Sequence, residues 1–152
     1  MFEFHTEHLF SYSATLKPPE VLGEVPEGIR VNFWVTGGQA QGPKLRGKLL
    51  PVGADWMTLR RDGMAVLDVR ASVLTDDGAL IDVSYAGLGD LGADGYARFQ
   101  RGDLPAELNL RTQPRFRCGD PRYAWLHRLT CFGVGKVVFA ENTVRYDVYA
   151  IR

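Results

Sequence analysis

Acidic, basic and aromatic side chains lie close together at three places in this chain of 152 residues. Asp55 directly precedes Trp56, and Asp68 lies two positions before Arg70 in a run of apolar residues. The third place is the segment Tyr123-Ala-Trp-Leu-His127. A few polar groups among aromatic and aliphatic walls are typical of a pocket for a small organic molecule. Carboxyl and imidazole groups in such a pocket can transfer protons.

Asp55 follows the segment Pro51-Val-Gly-Ala54, which we interpret as a turn before a strand. An aspartate at this place can cap the turn through hydrogen bonds to the backbone. Beside Trp56 it can instead be a partly desolvated acid with a raised pKa, which suits proton transfer. Both interpretations remain open. Asp55 has no charged partner next to it in sequence, so we favour it over Asp68 as the acid or base.

Asp68 and Arg70 project to the same face of a strand, because side chains alternate between faces. The opposite face of this strand is wholly apolar and consists of Ala65, Leu67, Val69, Ala71 and Val73. If that apolar face packs on the core, Asp68 and Arg70 form an exposed ion pair. If the barrel has a polar lumen, they form a pocket pair, in which Arg70 keeps Asp68 ionised as an electrostatic anchor for the ligand.

Tyr123, Trp125 and His127 share one face if their segment is extended. They are then either core side chains with a satisfied histidine or a ligand wall in which His127 is an acid, base or hydrogen-bond donor. Tyr85 is a similar candidate, because its hydroxyl needs a partner when buried. The candidate catalytic residues are thus Asp55, Asp68 and His127. The candidate ligand-binding residues are Trp34, Trp56, Arg70, Tyr85, Tyr123 and Trp125.

Strand and turn signals alternate along the chain. Apolar side chains occupy every second position from 29 to 35, and Gly37-Gly38 is expected to break or bulge that strand. Hairpin turns are predicted at Arg61–Gly63, at Thr75–Gly78 and at Ala140–Asn142. The Gly- and Asp-rich segment 87–95 is predicted to be a loop, followed by one or two helical turns at 96–101.

Successive hairpins with almost no helix between them indicate an antiparallel sheet. Turn signals roughly every 8–12 residues favour a sandwich or a closed barrel, and a barrel of about eight strands can hold one small ligand. We therefore predict an all-β protein in which residues 1–152 form a single antiparallel β-barrel domain, similar in size to the calycins and lipocalins. It should have at most one or two short helices.

The composition argues against several partners. Eighteen basic and eighteen acidic residues balance, so no net charge attracts nucleic acid. No apolar run approaches the roughly 18 residues of a membrane span, and the acidic N-terminus is unlike a secretory signal peptide. Cys118 and Cys131 are expected to be buried thiols rather than a disulfide. We therefore predict a cytoplasmic protein that binds a small molecule, and neither nucleic acid nor a membrane.

Metal and cofactor signals are weak. His5 and His8 are three positions apart and would lie on opposite faces of a strand. No Cys-x-x-Cys pair, nucleophile elbow or phosphate-binding loop is present. Asp76-Asp77-Gly78 fits a hairpin turn better than a calcium site. We predict no metal ion and no cofactor.

With these elements placed, the order of several motifs resembles the family catalogued as domain of unknown function 3237. The motifs are Thr36-Gly-Gly, Gly42-Pro-Lys-Leu-Arg-Gly47, Leu50-Pro, Gly53-Ala-Asp-Trp56, Asp62-Gly63, Leu67-Asp-Val-Arg70, Thr75-Asp-Asp-Gly-Ala-Leu-Ile81, Arg111-Thr, Pro114-Arg-Phe116, Pro121-Arg-Tyr-Ala-Trp-Leu126 and Tyr146-Asp-Val-Tyr149. The resemblance implies a small antiparallel β-barrel and favours Asp68 and Arg70 as a pocket pair. It implies no particular activity.

The chain departs from the family pattern at three places. Val52 replaces a usual glycine, His127 replaces a usual asparagine, and the stretch from Gly87 to Leu108 differs from its usual form. A chemistry shared by the whole family therefore cannot depend on an imidazole at position 127.

The leading functional hypothesis is a barrel that encloses an apolar or aromatic molecule and acts as a cofactor-independent isomerase, cyclase or lyase. A second hypothesis is a carrier or sensor that binds a hydrophobic ligand without changing it. A third is a homo-oligomeric structural protein whose apolar strand face is an interface. A perturbed carboxylate in the lumen would favour the enzyme, a wholly apolar lumen the carrier, and a filled lumen the structural protein.

Overall fold

The computed structural model describes residues 1–152, and nine strands form one continuous antiparallel sheet. The strands are β1 (Thr6–Leu16), β2 (Glu20–Val25), β3 (Gly28–Gln41), β4 (Arg46–Leu59), β5 (Met64–Thr75), β6 (Leu80–Asp90), β7 (Glu107–Arg117), β8 (Thr130–Val138) and β9 (Thr143–Ile151). The three predicted turns join β4 to β5, β5 to β6, and β8 to β9.

The sheet closes into a barrel of eight strands. Neighbouring strands follow the order β1-β9-β8-β7-β6-β5-β4-β3, and β1 pairs with the second half of β3 to complete the circle. Strand β2 lies outside this circle and pairs with the first half of β3. The predicted antiparallel β-barrel is thus confirmed.

Helical structure is confined to connections. Helix α1 (Gly95–Gln100) joins β6 to β7, where the sequence predicts one or two helical turns. A 3-10 helix (Pro121–Arg128) joins β7 to β8, and a single 3-10 turn (Phe139–Glu141) joins β8 to β9. No helix is long and apolar enough to cross a membrane.

The predicted loop at 87–95 is wrong over its first half, because β6 continues to Asp90. Gly87 and Gly89 serve packing here rather than a turn. A Cβ atom on Gly87 would lie 2.7 Å from the side chain of Thr112, and one on Gly89 would lie 2.8 Å from Leu108. Glycines inside a strand often mark such a close approach.

The predicted turn before Asp55 is also wrong, because β4 runs through it with a bulge between Leu49 and Gly53. Gly53 has a φ of +90°, and a Cβ atom there would lie 2.1 Å from the carbonyl oxygen of Arg70. Only glycine fits this conformation and this contact. Asp55 therefore stands inside a strand, two residues beyond a bulge. The bulge predicted at Gly37-Gly38 is confirmed, since the β3–β4 register shifts between Trp34 and Gly38.

The two ends of the barrel differ. Because the strands are antiparallel, β2, the β4–β5 turn, helix α1 and the 139–141 turn all lie at one end, which we call the mouth. The 3-10 helix 121–128 lies at the opposite end, and its Tyr123 and Leu126 are buried in the core. That helix closes the barrel.

Cys118 and Cys131 lie near this closed end. Both are buried free thiols, as the sequence analysis predicts.

Candidate functional site

The interior of the barrel contains a cavity of about 660 Å³. Its walls are the inward-facing side chains of the barrel strands, and 28 of its 35 lining residues are hydrophobic. The volume is within the range of pockets that hold small organic ligands. The cavity is therefore an apolar lumen with space for one such molecule, and it is not a filled core.

Asp55 places a carboxyl group on the inner wall of this lumen, among Val31, Met57 and Val69. Its Oδ1 accepts a hydrogen bond from the backbone N–H of Asp68 on the neighbouring strand, 3.0 Å away. Desolvation by the apolar surroundings raises the pKa of Asp55 to about 7. The hydrogen bond from Asp68 and the charge of Arg30 oppose this shift without cancelling it. Asp55 is thus poised to gain or lose a proton near neutral pH.

Three tyrosines face Asp55 inside the lumen. Tyr12 on β1 and Tyr146 on β9 are register partners, and Tyr85 comes from β6. The Tyr12 hydroxyl donates to the Tyr85 hydroxyl at 3.0 Å. The centroid of the Tyr146 ring lies 5.1 Å from that of the Tyr12 ring and 5.8 Å from that of the Tyr85 ring. Burial is the main cause of the raised pKa of each tyrosine, and the charge of Asp55 raises all three further. The four groups therefore form one electrostatic cluster.

Two glycines of β8 make room for Tyr146. Gly135 is the register partner of Tyr146, and a Cβ atom on it would lie 2.3 Å from the tyrosine Cδ1. A Cβ atom on Gly133 would lie 2.3 Å from Thr112 Oγ1 and 3.5 Å from the same ring. The absence of side chains at both positions lets the ring of Tyr146 lie flat against β8.

The mouth of the lumen is bordered by β2 and helix α1. Glu24 of β2 accepts a hydrogen bond from the Tyr96 hydroxyl at 2.6 Å and another from Gln100 at 3.2 Å. Gly23 and Glu24 on one side and Phe99 and Gln100 on the other line the cavity. This contact joins two segments that are otherwise distant in sequence, across the edge of the opening.

Of the nine residues proposed from the sequence, Asp55 and Tyr85 line the lumen. The expectation that Asp68 and Arg70 face it is wrong, because the apolar face of β5 forms the wall instead. Their side chains are 61% and 54% exposed and pair with each other at 2.6 Å. Trp34 and Trp56 also lie outside, edge to face with ring centroids 6.0 Å apart, since their neighbours Phe33 and Asp55 point inward.

The expected aromatic wall of Tyr123, Trp125 and His127 is not part of the lumen, because the segment is a 3-10 helix rather than a strand. Asp120 caps this helix by accepting from the N–H of Arg122, and Pro121 occupies its first turn. The Tyr123 hydroxyl donates to Asp77 at 2.9 Å, and His127 Nε2 accepts from the N–H of Cys118 at 3.0 Å. Both contacts stabilise the closed end.

Tyr12 and Tyr146 were not proposed from the sequence, although a signal was present. Tyr146 alternates with Val144 and Val148 on the apolar face of the last strand, and Tyr12 alternates in the same way with Phe10 and Ala14. A tyrosine on an apolar strand face is a candidate for a hydroxyl inside a barrel. No group of three or more His, Cys, Asp or Glu side chains is arranged to hold a metal ion.

Comparison with known proteins defines the family. The sequence model described as "Protein of unknown function (DUF3237)" matches residues 4–151, which is nearly the whole chain. The chain belongs to the DUF3237 family. The family resemblance inferred from the motifs is thereby confirmed.

Several relatives of this DUF3237 protein share its length and fold. UPF0311 protein RPA1785 from Rhodopseudomonas palustris is 29% identical over 148 residues, which cover 96% of this chain and 95% of that protein. The crystal structure of RPA1785 aligns with this structure over 100% of each chain, with a TM-score of 0.88 and 27% sequence identity. A β-barrel-like protein from Acinetobacter baumannii has a TM-score of 0.84 and 29% identity over 100% of this chain and 98% of its own.

A more distant structure, described as an enzyme from Penicillium herquei, has a TM-score of 0.72 and 22% identity over 100% of this chain and 97% of its own. At this identity the comparison shows a shared fold.

Proposed function

We propose that this protein binds an apolar or aromatic molecule in its lumen and acts on it as a cofactor-independent isomerase, cyclase or lyase. The observation that carries the proposal is Asp55, a carboxyl group with a pKa of about 7 on the wall of an apolar cavity of about 660 Å³. An acid or base with a pKa near the working pH is the most effective proton-transfer catalyst.

The chemistry assigned to Asp55 is the transfer of one proton. Its ionised form removes a proton from a carbon of the bound molecule, and the electron pair left behind spreads into an adjoining unsaturated group. The carboxylic acid then returns the proton to a different atom, which gives an isomer without any oxidant or reductant. The apolar walls of the lumen screen the charge of Asp55 weakly, and the same desolvation raises its pKa and so its basicity.

A second candidate function is a carrier or sensor of a hydrophobic ligand. The predominantly apolar lining favours it, because such walls bind through shape and area without needing a reactive group. In this function Asp55 would orient a polar atom of the ligand. The third hypothesis lacks the observation that would favour it, a filled lumen.

The test has a binding step and a reaction step. Displacement of Nile red from the lumen measures the binding of a panel of apolar bicyclic and tricyclic molecules that carry one acidic C–H bond. The variant Ala71→Phe fills part of the lumen and should lower their affinity, whereas Val52→Phe on the exposed surface should not. If both variants retain the affinity of the wild type, lumen binding is contradicted.

The reaction step follows exchange of the acidic hydrogen in deuterium oxide by NMR. Wild type should accelerate exchange for at least one bound molecule, and Asp55→Asn should abolish that acceleration while binding is retained. Asparagine keeps an acceptor oxygen for the N–H of Asp68, so the fold should persist. Binding without accelerated exchange would favour the carrier, and full exchange activity in Asp55→Asn would contradict the role of Asp55.

A further inference from the structure

The hydroxyl groups of the three lumen tyrosines are only partly satisfied by one another. Tyr12 and Tyr85 share the one hydrogen bond of normal geometry in the cluster, at 3.0 Å. The Tyr146 hydroxyl is buried and makes no hydrogen bond of normal geometry, although it lies near enough to the Tyr85 hydroxyl for each to shift the pKa of the other. Of the three hydroxyl protons, only that of Tyr12 is donated in a hydrogen bond of normal geometry.

Buried hydroxyls are normally satisfied, because an unpaired one costs the free energy of its lost hydration. Tyr146 is 3% exposed and Tyr85 is 8% exposed, so neither hydroxyl is on the outer surface. Both residues line the cavity, whose walls offer few acceptors besides Asp55, and the hydrogen bond of the Asp55 carboxyl is to the Asp68 N–H rather than to a tyrosine. An unsatisfied donor pair in such a cavity is typical of a site whose acceptor belongs to a ligand.

The arrangement favours Tyr85 as the donor to that ligand. The Tyr85 oxygen already accepts the proton of Tyr12. The rings of Tyr85 and Tyr146 pack together with their centroids 5.8 Å apart. The proton of Tyr85 is therefore the one that remains available, while Tyr12 on the opposite side of the barrel holds its oxygen in place. A phenol whose oxygen accepts a hydrogen bond also becomes a stronger donor.

We propose that Tyr85, supported by Tyr12 and Tyr146, binds a carbonyl oxygen of the ligand, so that the substrates are apolar ketones or related carbonyl compounds. This inference rests on the proposed function and names its substrate class. A carbonyl bound by Tyr85 makes the neighbouring C–H bond acidic, and Asp55 in the same cluster is the base that removes its proton. The negative charge then develops on the oxygen that faces the tyrosines, where a preorganised donor stabilises it most.

The test compares two molecules of the same shape, 9-fluorenone and fluorene, of which only the first has a carbonyl oxygen. Tyr85→Phe should weaken the binding of fluorenone about five- to tenfold, the loss expected for one hydrogen bond. It should leave the affinity for fluorene within twofold. Tyr146→Phe should act in the same direction with a smaller effect. Tyr149→Phe, on the outer wall where the ring stacks on Phe132, should affect neither molecule.

Infrared spectroscopy supplies a readout that a purely structural role would not change. The carbonyl stretch of bound fluorenone should lie at lower frequency than in an apolar solvent, and Tyr85→Phe should reverse that shift. Equal effects of Tyr85→Phe on both molecules, or an unshifted carbonyl band in wild type, would overturn the inference and leave lumen binding intact. If neither molecule enters the lumen, the proposed function itself fails.

Discussion

The carboxylate of Asp55 accepts the backbone N–H of Asp68 at 3.0 Å, from the inside of the barrel wall. The pairing of β4 with β5 passes from Asp55↔Val69 to Thr58↔Val66, so the side chain satisfies a backbone group between these two pairs. One residue thus combines a structural hydrogen bond with a titratable group in the lumen. Variants at this position can separate the two roles.

The titration of Asp55 should make stability depend on pH. Its pKa rises from 3.8 in the unfolded chain to about 7 in the folded protein. Between these values the folded state binds more protons, so stability should fall as pH rises from about 4 to 7. The unfolding free energy changes by at most about 1.4 kcal/mol per pH unit from this one group.

Asp55→Asn should remove this pH dependence of the unfolding free energy, as measured by urea unfolding. Asp68→Asn controls for the loss of a carboxylate. Parallel curves for wild type and Asp55→Asn would contradict the raised pKa.

The structural role of Asp55 should appear in a second substitution. Asp55→Ala leaves the N–H of Asp68 without its acceptor, which should cost about 1–3 kcal/mol of unfolding free energy relative to Asp55→Asn. Both variants lack the charge, so chemical denaturation at pH 8 isolates the hydrogen bond. Equal stability of the two variants would show that the hydrogen bond contributes little.

Gly135 should be required for the position of Tyr146. Gly135→Ala places a Cβ atom 2.3 Å from the ring and 2.2 Å from the carbonyl oxygen of Arg145, so the ring or the strand must move. Overpacking of this kind costs about 1–3 kcal/mol. The melting temperature should fall, and the near-ultraviolet circular dichroism of the tyrosines should change. Gly119→Ala has open space around it and should show neither effect.

The sequence predicts the walls of this barrel better than the contents of its lumen. The strict alternation of β5 identifies its apolar face, and that face lines the cavity. A pocket pair of Asp68 and Arg70 requires a polar lumen, whereas the lumen is apolar and both side chains face outward. Alternation states which residues share a face, and it does not state whether an apolar face encloses a solid core or an empty cavity.

The site residues differ in how far local pattern reveals them. Tyr12 and Tyr146 stand on apolar strand faces, so they were accessible to the same alternation argument. The role of Tyr85 depends on its meeting with Tyr12 across the barrel, 73 positions apart in the chain. The 3-10 helix at 121–128 was missed because its alternating aromatic residues mimic a strand. The sequence signal for a helix start here is Asp120 at the N-cap followed by Pro121 in the first turn.

The ion pair of Asp68 and Arg70 on the outer wall should be dispensable for binding. Both side chains are more than half exposed, and pairs of this kind contribute about 0–1 kcal/mol. Arg70→Gln should therefore change the unfolding free energy by less than about 1 kcal/mol and leave the affinity for Nile red unchanged. A large loss of affinity in this variant would indicate that the ligand site lies on the outer face.

The contact between β2 and helix α1 should control how fast ligands pass through the mouth. Tyr96→Phe removes the hydrogen bond to Glu24, the shorter of the two bonds that join these segments. We expect ligand passage to require separation of β2 from helix α1, which breaks this bond, so its loss should lower the barrier in both directions. Association and dissociation rates of Nile red should both rise about three- to tenfold, which corresponds to one surface hydrogen bond. The dissociation constant should change little, since bound and free states lose the same contact.

Stopped-flow fluorescence measures both rates, and Tyr149→Phe on the outer wall is the matched control. A change confined to the dissociation rate would mean that Tyr96 contacts the bound molecule, and unchanged rates would place the entry path elsewhere.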